Sequence, residues 1–403
     1  MFKNKKDFLL SRDFNGPGTA SWVEISKSAL ENNIDCFKKT AQGRFSLGVV
    51  LKGNAYGHGL LTVFRVIRDR VDCVYLISPQ DAILLQEDSS FSNGGFSPRI
   101  IVIGGLTPEE ISVCAQKNIE MALGDRVWEE AVPLLRKRGL KAKVHIHLDT
   151  GLSREGYFHE NLKQDLKFLK TASDVISVVA VMSHFANVED VTAQDYAISQ
   201  IKAFKKGVTC LKEFLLLPEP LDEHFSGSAA ALLLPEARLN GIRVGISLYG
   251  FWPSAETRIS AKFNFDELPH LEPVLSWKCK SQVVKKLKPG TYVGYGCAYR
   301  CDRETRIAIF PVGYYDGYSR SVSGKAHVLI QGRRCSVIGR VMMNHIIVDI
   351  TQVSHDNRPV EATLIGKSGD EVVSAQMLAD WADTIQYEVV TRLGSHLERV
   401  VVP

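Results

Sequence analysis

The sequence predicts an α/β protein, an N-terminal (β/α)8 TIM-type barrel with a C-terminal mainly-β domain. Three observations carry this. Between Trp22 and about Ser254, short apolar runs alternate with stretches long enough for a helix, the pattern of a parallel sheet with crossover helices. The runs number eight, at 45–51, 73–77, 100–103, 119–122, 143–148, 176–182, 223–226 and 241–244, each but the last followed by helix-length chain. After Pro253-Ser254 the pattern changes to short β-rich runs punctuated by turn signals. A doubly wound open sheet is the fallback, but no Gly-rich dinucleotide fingerprint follows the first strand.

In chain order, residues 1–18 read as a flexible leader ending at Gly16-Pro17-Gly18. Its apolar patch, Phe8 to Leu10, is too short for the core of a signal peptide. The barrel is assigned to 19–260 and the β domain to 261–403. The first helix carries a capping box from Ser28 to Glu31 and an apolar face of Leu30, Ile34 and Phe37. In the second domain the runs VLSWKCKSQVV, TRIAIFPVG, AHVLI, CSVIGRVMMNHIIVDI and VEATLIG alternate with turns at Pro289-Gly290 and Gln331-Gly332. A single helix is expected at 374–384, capped by Ser374.

With 403 residues, 45% of them hydrophobic and 23% charged, the chain can bury a large core and reads as an ordinary globular protein. A net charge of +4, without a basic cluster interleaved with aromatics, argues against nucleic acid as a partner. No apolar run has membrane-spanning length. Eight cysteines contain no Cys-x-x-Cys pair, so buried, reduced thiols in the cytoplasm are expected.

The chemistry centres on 44-RFSLGVVLKGNAYGHG-59. An apolar strand ends at Lys52, where lost hydration lowers an amine's pKa and makes it a nucleophile or base. Tyr56 follows four residues later, and the glycines let backbone approach a ligand closely. Active sites of such barrels lie at the C-terminal strand ends. Those ends also deliver His147, Asp149 and Arg154 (strand five), His184 (strand six), His224 and Ser228 (strand seven), and Arg243, Gly245 and Ile246 (strand eight). Ser228 and the Gly245–Ile246 amides occupy the place where barrels commonly bind phosphate. Singly, each has a structural reading: His224 as a core histidine bonded to backbone, Asp149 as the cap of its loop, Ser228 as a helix cap, Arg243 in an ion pair.

The Lys52 segment closely resembles the cofactor-lysine motif of the alanine racemase family of pyridoxal-phosphate (PLP) enzymes, with broader amino-acid racemases as relatives. The strings 292-YVGYGCAYR-300, 311-PVGYYDGYSR-320 and 338-IGRVMMNHIIVD-349 resemble that family's catalytic-tyrosine, second-tyrosine and substrate-carboxylate segments. The resemblance spreads from residue 21 to about 350. It implies a cytoplasmic isomerase that interconverts L- and D-alanine, a cell-wall precursor, with serine or a broader amino-acid range as the alternative. It implies a homodimer with composite sites, in which Lys52 and the partner's Tyr295 act as bases on opposite faces of one substrate. Lys52, Tyr56, Ser228, Arg243, Gly245 and Ile246 would hold PLP, and His184 with Arg243 would bias the tyrosine. Arg154 and the Met343 amide would hold the substrate carboxylate; Tyr314 would line the entrance, with Arg320 and Arg340 further out.

Three positions depart from the family pattern. His147 stands where a carbamylated lysine usually supports the arginine matched by Arg154, so other support is required. Asn344 replaces an aspartate. Ser395 aligns with a tyrosine that helps bind phosphate and narrows the entrance. Two other classes compete. A metal-dependent barrel hydrolase could use His145, His147, Asp149, His184 and His224, but leaves Lys52, Tyr56 and the second domain without a role, so no metal is expected. A non-catalytic PLP-binding barrel leaves the tyrosine segments of 290–350 unexplained.

Overall fold

A computed structural model describes residues 19–41, 45–91, 97–189, 194–217, 220–354 and 358–403. The leader expected at 1–18 lies outside the described residues. The chain forms two compact units. One comprises Ser28–Ala55 and Val63–Glu272; the other takes the described residues up to Lys27, then Tyr56–Thr62 and Pro273–Pro403.

Strand β1 (Ser21–Ser26) belongs to the second unit. The first unit holds β2 (Ser46–Val50), β3 (Cys73–Leu76), β4 (Arg99–Val102), β5 (Glu120–Leu123), β6 (Ala142–Asp149), β7 (Tyr157–Phe158), β8 (Ile176–Met182), β9 (Asp222–His224) and β10 (Gly241–Val244). The order β5-β4-β3-β2-β10-β9-β8-β6 closes through β5–β6 pairing into an eight-stranded parallel barrel, with β7 appended to β6. All eight expected runs are its strands. Every residue of β3, β5 and β10 is buried, so these strands read as apolar runs rather than alternating ones, interrupted only by Glu120 in β5 and Arg243 in β10.

The intervening helices begin and end on local signals. Ser78 caps Pro79–Glu87, Thr107 and Glu110 form a capping box on Pro108–Gln116, and Gly139 ends Val127–Arg138 in the left-handed conformation. The first helix, Lys27–Ala41, differs: it opens directly after β1, so the expected cap Ser28 falls inside its first turn. In the barrel interior Gly48 makes room for Tyr75, whose Cε2 lies 2.3 Å from where a Cβ on Gly48 would stand.

The expected boundary at 260/261 falls instead at 272/273, and the expected start of the barrel at 19 moves past β1. Residues 261–272 stay with the barrel because Asn33 exchanges two 2.8 Å hydrogen bonds with the Glu272 backbone, and Asn32 donates to the His270 carbonyl at 2.7 Å. β1 joins the second unit because both its edges are paired there, as set out next.

That unit adds β11 (Leu275–Lys280), β12 (Val283–Leu287), β13 (Tyr292–Val293), β14 (Tyr299–Arg300), β15 (Thr305–Phe310), β16 (His327–Ile330), β17 (Arg333–Ser336), β18 (Ile346–Asp349), β19 (Glu361–Ser368), β20 (Glu371–Val373) and β21 (Glu398–Val402). Its main sheet runs β17-β16-β19-β11-β1-β21, with β1 antiparallel to β11 and parallel to β21. Val23, Ile25 and Trp277 are fully buried, and the Trp277 indole donates to Ser21 Oγ at 3.0 Å. A three-stranded sheet, β12-β15-β18, and the β13–β14 hairpin enclose Val293, Cys301, Ile307, Ile338 and Ile347. The expected helix is Ala375–Ala382, and Ser374 Oγ caps it by accepting from the Met377 amide at 3.1 Å; it is not single, since Gln386–Thr391 forms a second helix directly after it.

All eight cysteines are free thiols. Burial throughout was expected, but Cys297 is exposed, in a tight surface turn at φ +52, and Cys36 and Cys210 are half-buried. Among the described residues no helix is long and apolar enough to cross a membrane.

Candidate active site

Lys52 leaves β2 into an uncommon turn. Gly53, Asn54, Ala55, Tyr56 and Gly57 all have positive φ, from +51 to +80, and the Ala55 amide donates to the Leu51 carbonyl at 2.9 Å. A left-handed conformation costs a non-glycine residue roughly 1–2 kcal/mol, so the motif stores strain just after its lysine. Burial, and next the Arg154 guanidinium, hold the Lys52 pKa below its ordinary value. An amine that sheds its proton readily is a nucleophile near neutral pH. Tyr56 belongs to the second unit; burial pushes its phenol up to about 12, and its ring centroid lies 6.3 Å from that of Tyr387.

Arg243 is buried at the C-terminal end of β10. Nη1 donates to the His224 carbonyl at 2.8 Å and to His224 Nδ1 at 2.7 Å. Nη2 donates to the carbonyls of Ser183 at 2.5 Å and Phe225 at 3.1 Å, and lies 3.4 Å from His184 Nδ1. Both Nη groups are thereby committed, which leaves Nε as its remaining donor among the described residues. Arg243 has no carboxylate partner there, so the ion-pair reading does not hold. His224 is buried as expected, but its ring bonds Arg243 and His145 rather than backbone.

His184 and His147 are neutral. Burial first, and then the Arg243 charge, depress His184 to about 3 and His147 to about 4. Asp149 does order its loop: Oδ1 accepts from the amides of Gly151, Leu152 and Ser153 at 2.8, 3.0 and 3.1 Å. The loop thus formed presents Arg154, half exposed, whose Nε lies 2.6 Å from Glu155 Oε2. Glu155 went unnoticed in the sequence, although its position directly after the arginine was the available signal.

Ser228 opens the helix Ser228–Leu233, whose cap position is Gly227, so it is not a helix cap. Its Oγ instead accepts from the Gly245 amide at 2.9 Å and approaches the Ser247 amide at 3.5 Å, at the start of the turn Ile246–Tyr249. A hydroxyl and two backbone amides, Gly245 and Ser247, gathered just past the ends of β9 and β10 are groups of the kind that bind an anion, which would take over the amide protons now directed at Ser228 Oγ. A reactive amine, an anion cradle and a donor-only guanidinium match the aldehyde, phosphate and pyridine nitrogen of PLP in kind.

In the second unit Tyr295, Tyr314, Arg320, Arg340, Met343 and Asn344 line one cavity of about 480 Å³. Two backbone bonds join its loops, from the Tyr314 amide to the Met342 carbonyl at 3.1 Å and from the Tyr315 amide to the Met343 carbonyl at 3.0 Å. Gly313 permits this approach; a Cβ there would lie 2.2 Å from the Met342 oxygen. Asp316, missed in the sequence despite the Tyr-Asp-Gly turn signal, accepts from the Gly313 amide and bonds His396 Nε2, both at 2.8 Å. Tyr295 is 71% exposed. Ser395 lies in an exposed turn and does not line this cavity.

The hydrolase reading finds no support. Among the described residues no three His, Cys, Asp or Glu side chains are grouped to hold a metal, and both ring nitrogens of His145 are bonded to protein.

Residues 25–253 match the alanine racemase N-terminal domain family and residues 274–401 the alanine racemase C-terminal domain family. The alanine racemase of Leptospira interrogans serogroup Icterohaemorrhagiae serovar copenhageni is 34% identical over 95% of this chain and 96% of its own. That of Methylacidiphilum infernorum is 32% identical over 94% and 92%. Among solved structures, alanine racemase from Bacillus anthracis with bound L-Ala-P superposes with a TM-score of 0.84 at 30% identity, covering 95% of both chains. Alanine racemase from Clostridium difficile 630 gives 0.85 at 27%, covering 95% of this chain and 96% of that one. Barrel, lysine-bearing mouth and β unit together define an amino-acid racemase. The chain belongs to the alanine racemase family, whose members use PLP.

Proposed function

We propose that the protein racemises alanine in the cytoplasm as a homodimer, with PLP held at the barrel mouth by Lys52. The single observation that carries this is Lys52 itself, an amine with a depressed pKa at the end of a barrel strand, beside Arg243 and Arg154. Ser228 and the Gly245 and Ile246 amides would bind the phosphate, joined by the Tyr56 phenol. Arg243 Nε would donate to the ring nitrogen; since arginine only donates, that nitrogen stays unprotonated. When bound, PLP supplies an electron sink that makes the substrate Cα proton removable.

The chain's own groups do the rest. Lys52 Nζ takes or returns the Cα proton on one face, and the phenol of Tyr295 of the partner subunit does so on the other. A phenol of pKa about 10 is a poor base, so it needs a cationic neighbourhood. The His184–Arg243 pair supplies that. His184 is neutral and can exchange hydrogen bonds without carrying charge itself. Arg154 and the amide of Met343 of the partner subunit, from the same cavity as the second base, orient the substrate carboxylate, the former as a charge-assisted donor. The partner's Tyr314 lines the entrance, with the partner's Arg320 and the partner's Arg340. Glu155 supports Arg154 in place of the absent carbamate; neutral His147 brings no negative charge to do so.

Borohydride reduction of the purified enzyme followed by peptide mass spectrometry tests the reading. A pyridoxyl group on Lys52 is expected, and a label on any other lysine would overturn it. A second reading, broader specificity reaching serine, is favoured by Asn344, an uncharged side chain in the tyrosine-lined cavity. One small group changes discrimination by about 1–3 kcal/mol. An unchanged alanine-to-serine ratio of kcat/KM in Asn344→Asp would remove it.

A further inference from the structure

Behind Arg243 the barrel holds a continuous line of polar groups that racemisation does not use, buried from His224 to Glu120 and half exposed at its end. His224 Nε2 lies 2.7 Å from His145 Nδ1, and His145 Nε2 lies 2.8 Å from Glu120 Oε2. Arg99 donates to both Glu120 oxygens, at 2.7 Å from Nη2 and 3.0 Å from Nε, and its Nη1 reaches Asp222 at 2.9 Å. The line therefore begins at the C-terminal end of β10. It ends at the first residues of β5, β4 and β9, on the opposite face of the barrel.

Chemistry at the two ends dictates every proton between them. A guanidinium cannot accept, so His224 Nδ1 presents a lone pair to Arg243 and its proton sits on Nε2. That proton points at His145 Nδ1, which must then be the acceptor, leaving the His145 proton on Nε2. The proton meets Glu120, an anion that can only accept. Burial alone would raise the Glu120 pKa, but the hydrogen bonds from His145 and Arg99 hold it at about 2. Burial lowers both histidines, so the rings stay neutral. Tyr75, 5.6 Å from the His224 ring, adds no charge, because burial raises its phenol pKa.

We propose that Glu120 is a positioning residue for Arg243, acting across the barrel through His145 and His224. Its carboxylate locks both rings in the tautomer that offers Arg243 a lone pair. The guanidinium is thereby held with Nε turned to its ligand. The inference rests on the reading that Arg243 faces the PLP ring nitrogen. Without the carboxylate, His145 can carry its proton on Nδ1, facing the His224 N–H. His224 escapes that clash only by moving its proton to Nδ1, against Arg243.

Side-chain 15N NMR of histidine-labelled enzyme, with and without PLP, tests this directly; His145→Gln and His224→Gln assign the signals. In the wild type both rings should be neutral at pH 7 with the proton on Nε2. Glu120→Leu should give mixed tautomers at His224 and about tenfold weaker PLP binding, as for loss of one charge-assisted hydrogen bond. Glu120→Gln keeps an acceptor and should restore both. A wild-type His224 protonated on Nδ1, or an unchanged tautomer in Glu120→Leu, would overturn the proposal. The wild-type measurement decides even if the leucine variant does not fold. Predicted tautomers combined with no PLP binding would fault the cofactor reading and leave the relay standing.

Discussion

Gly57 approaches Val390 so closely that a Cβ on the glycine would stand 1.8 Å from the Val390 carbonyl oxygen. The contact is backbone on backbone, and Gly57 has φ +80, so neither partner can yield by rotating a side chain. Gly57 directly follows Tyr56 and closes the left-handed turn that begins at Lys52. Two separate demands thus fall on one residue, a left-handed backbone and an absent side chain. Gly57→Ala should destabilise the protein by at least about 2 kcal/mol, since strain and overpacking add. Urea unfolding measures this, and a loss below about 0.5 kcal/mol, within the range of a neutral surface change, would contradict it.

The two neutral histidines of the barrel mouth set an acid limit on stability. His147, free at 6.5 and held at about 4 in the fold, refuses a proton that the unfolded chain accepts between those values. Its contribution is complete above pH 6.5 and is lost as pH falls toward 4. Near pH 5 the loss is roughly 2 kcal/mol for this one group. Carboxylates also titrate there, so the difference between wild type and His147→Gln is the measure. Between pH 7 and 5 the cofactor-free wild type should lose more stability than the variant; parallel curves would refute the assignment.

Much of this was legible in the sequence. The barrel strands were visible because burial on both faces leaves continuous apolar runs, and Lys52, Arg154 and Arg243 were visible because charge at such run ends is unusual. β1 was misplaced because WVEIS reads alike whether it enters a barrel or a sheet; only its pairing with β11 and β21 distinguishes them. Glu120 was not singled out because its significance lies in partners that only the fold brings near, and Glu155 because a carboxylate beside an arginine does not by itself show that the two side chains meet. His145 meets Glu120 across 25 residues, and Arg154 chooses the carboxylate beside it through the loop that Asp149 shapes. Ser228 was legible beside the Gly245 amide because both follow the last two barrel strands; its alternative reading as a helix cap failed because the helix begins at Ser228 itself, with Gly227 in the cap position.

Glu155 should act on substrate binding rather than on proton transfer. It pairs with Arg154 and touches neither Lys52 nor Tyr295 in any hydrogen bond or ion pair among the described residues. The pair is partly exposed, so its worth is modest, about 0.2–1 kcal/mol. Glu155→Gln should therefore raise KM for alanine severalfold while kcat changes little. Steady-state kinetics separate the two; a fall in kcat at constant KM would mean that Glu155 serves the chemistry instead.

The last prediction concerns the assembly that the two-base reading demands. If Lys52 and Tyr295 of the partner subunit serve one substrate, each site takes its lysine from one chain and its tyrosine from the other. A two-fold dimer then contains two such sites. Lys52→Ala and Tyr295→Phe should each be nearly inactive as homodimers. Mixed under conditions of proven subunit exchange, they should form heterodimers with both defects in one site and neither in the other. Activity should then recover toward half of wild type per heterodimer, and it should be carried by the Tyr295→Phe chain's Lys52, which borohydride would label. Recovery cannot arise if both bases come from a single chain, because every site would still carry one defect. Absent recovery would therefore place lysine and tyrosine in one subunit, or remove Tyr295 from the role of second base.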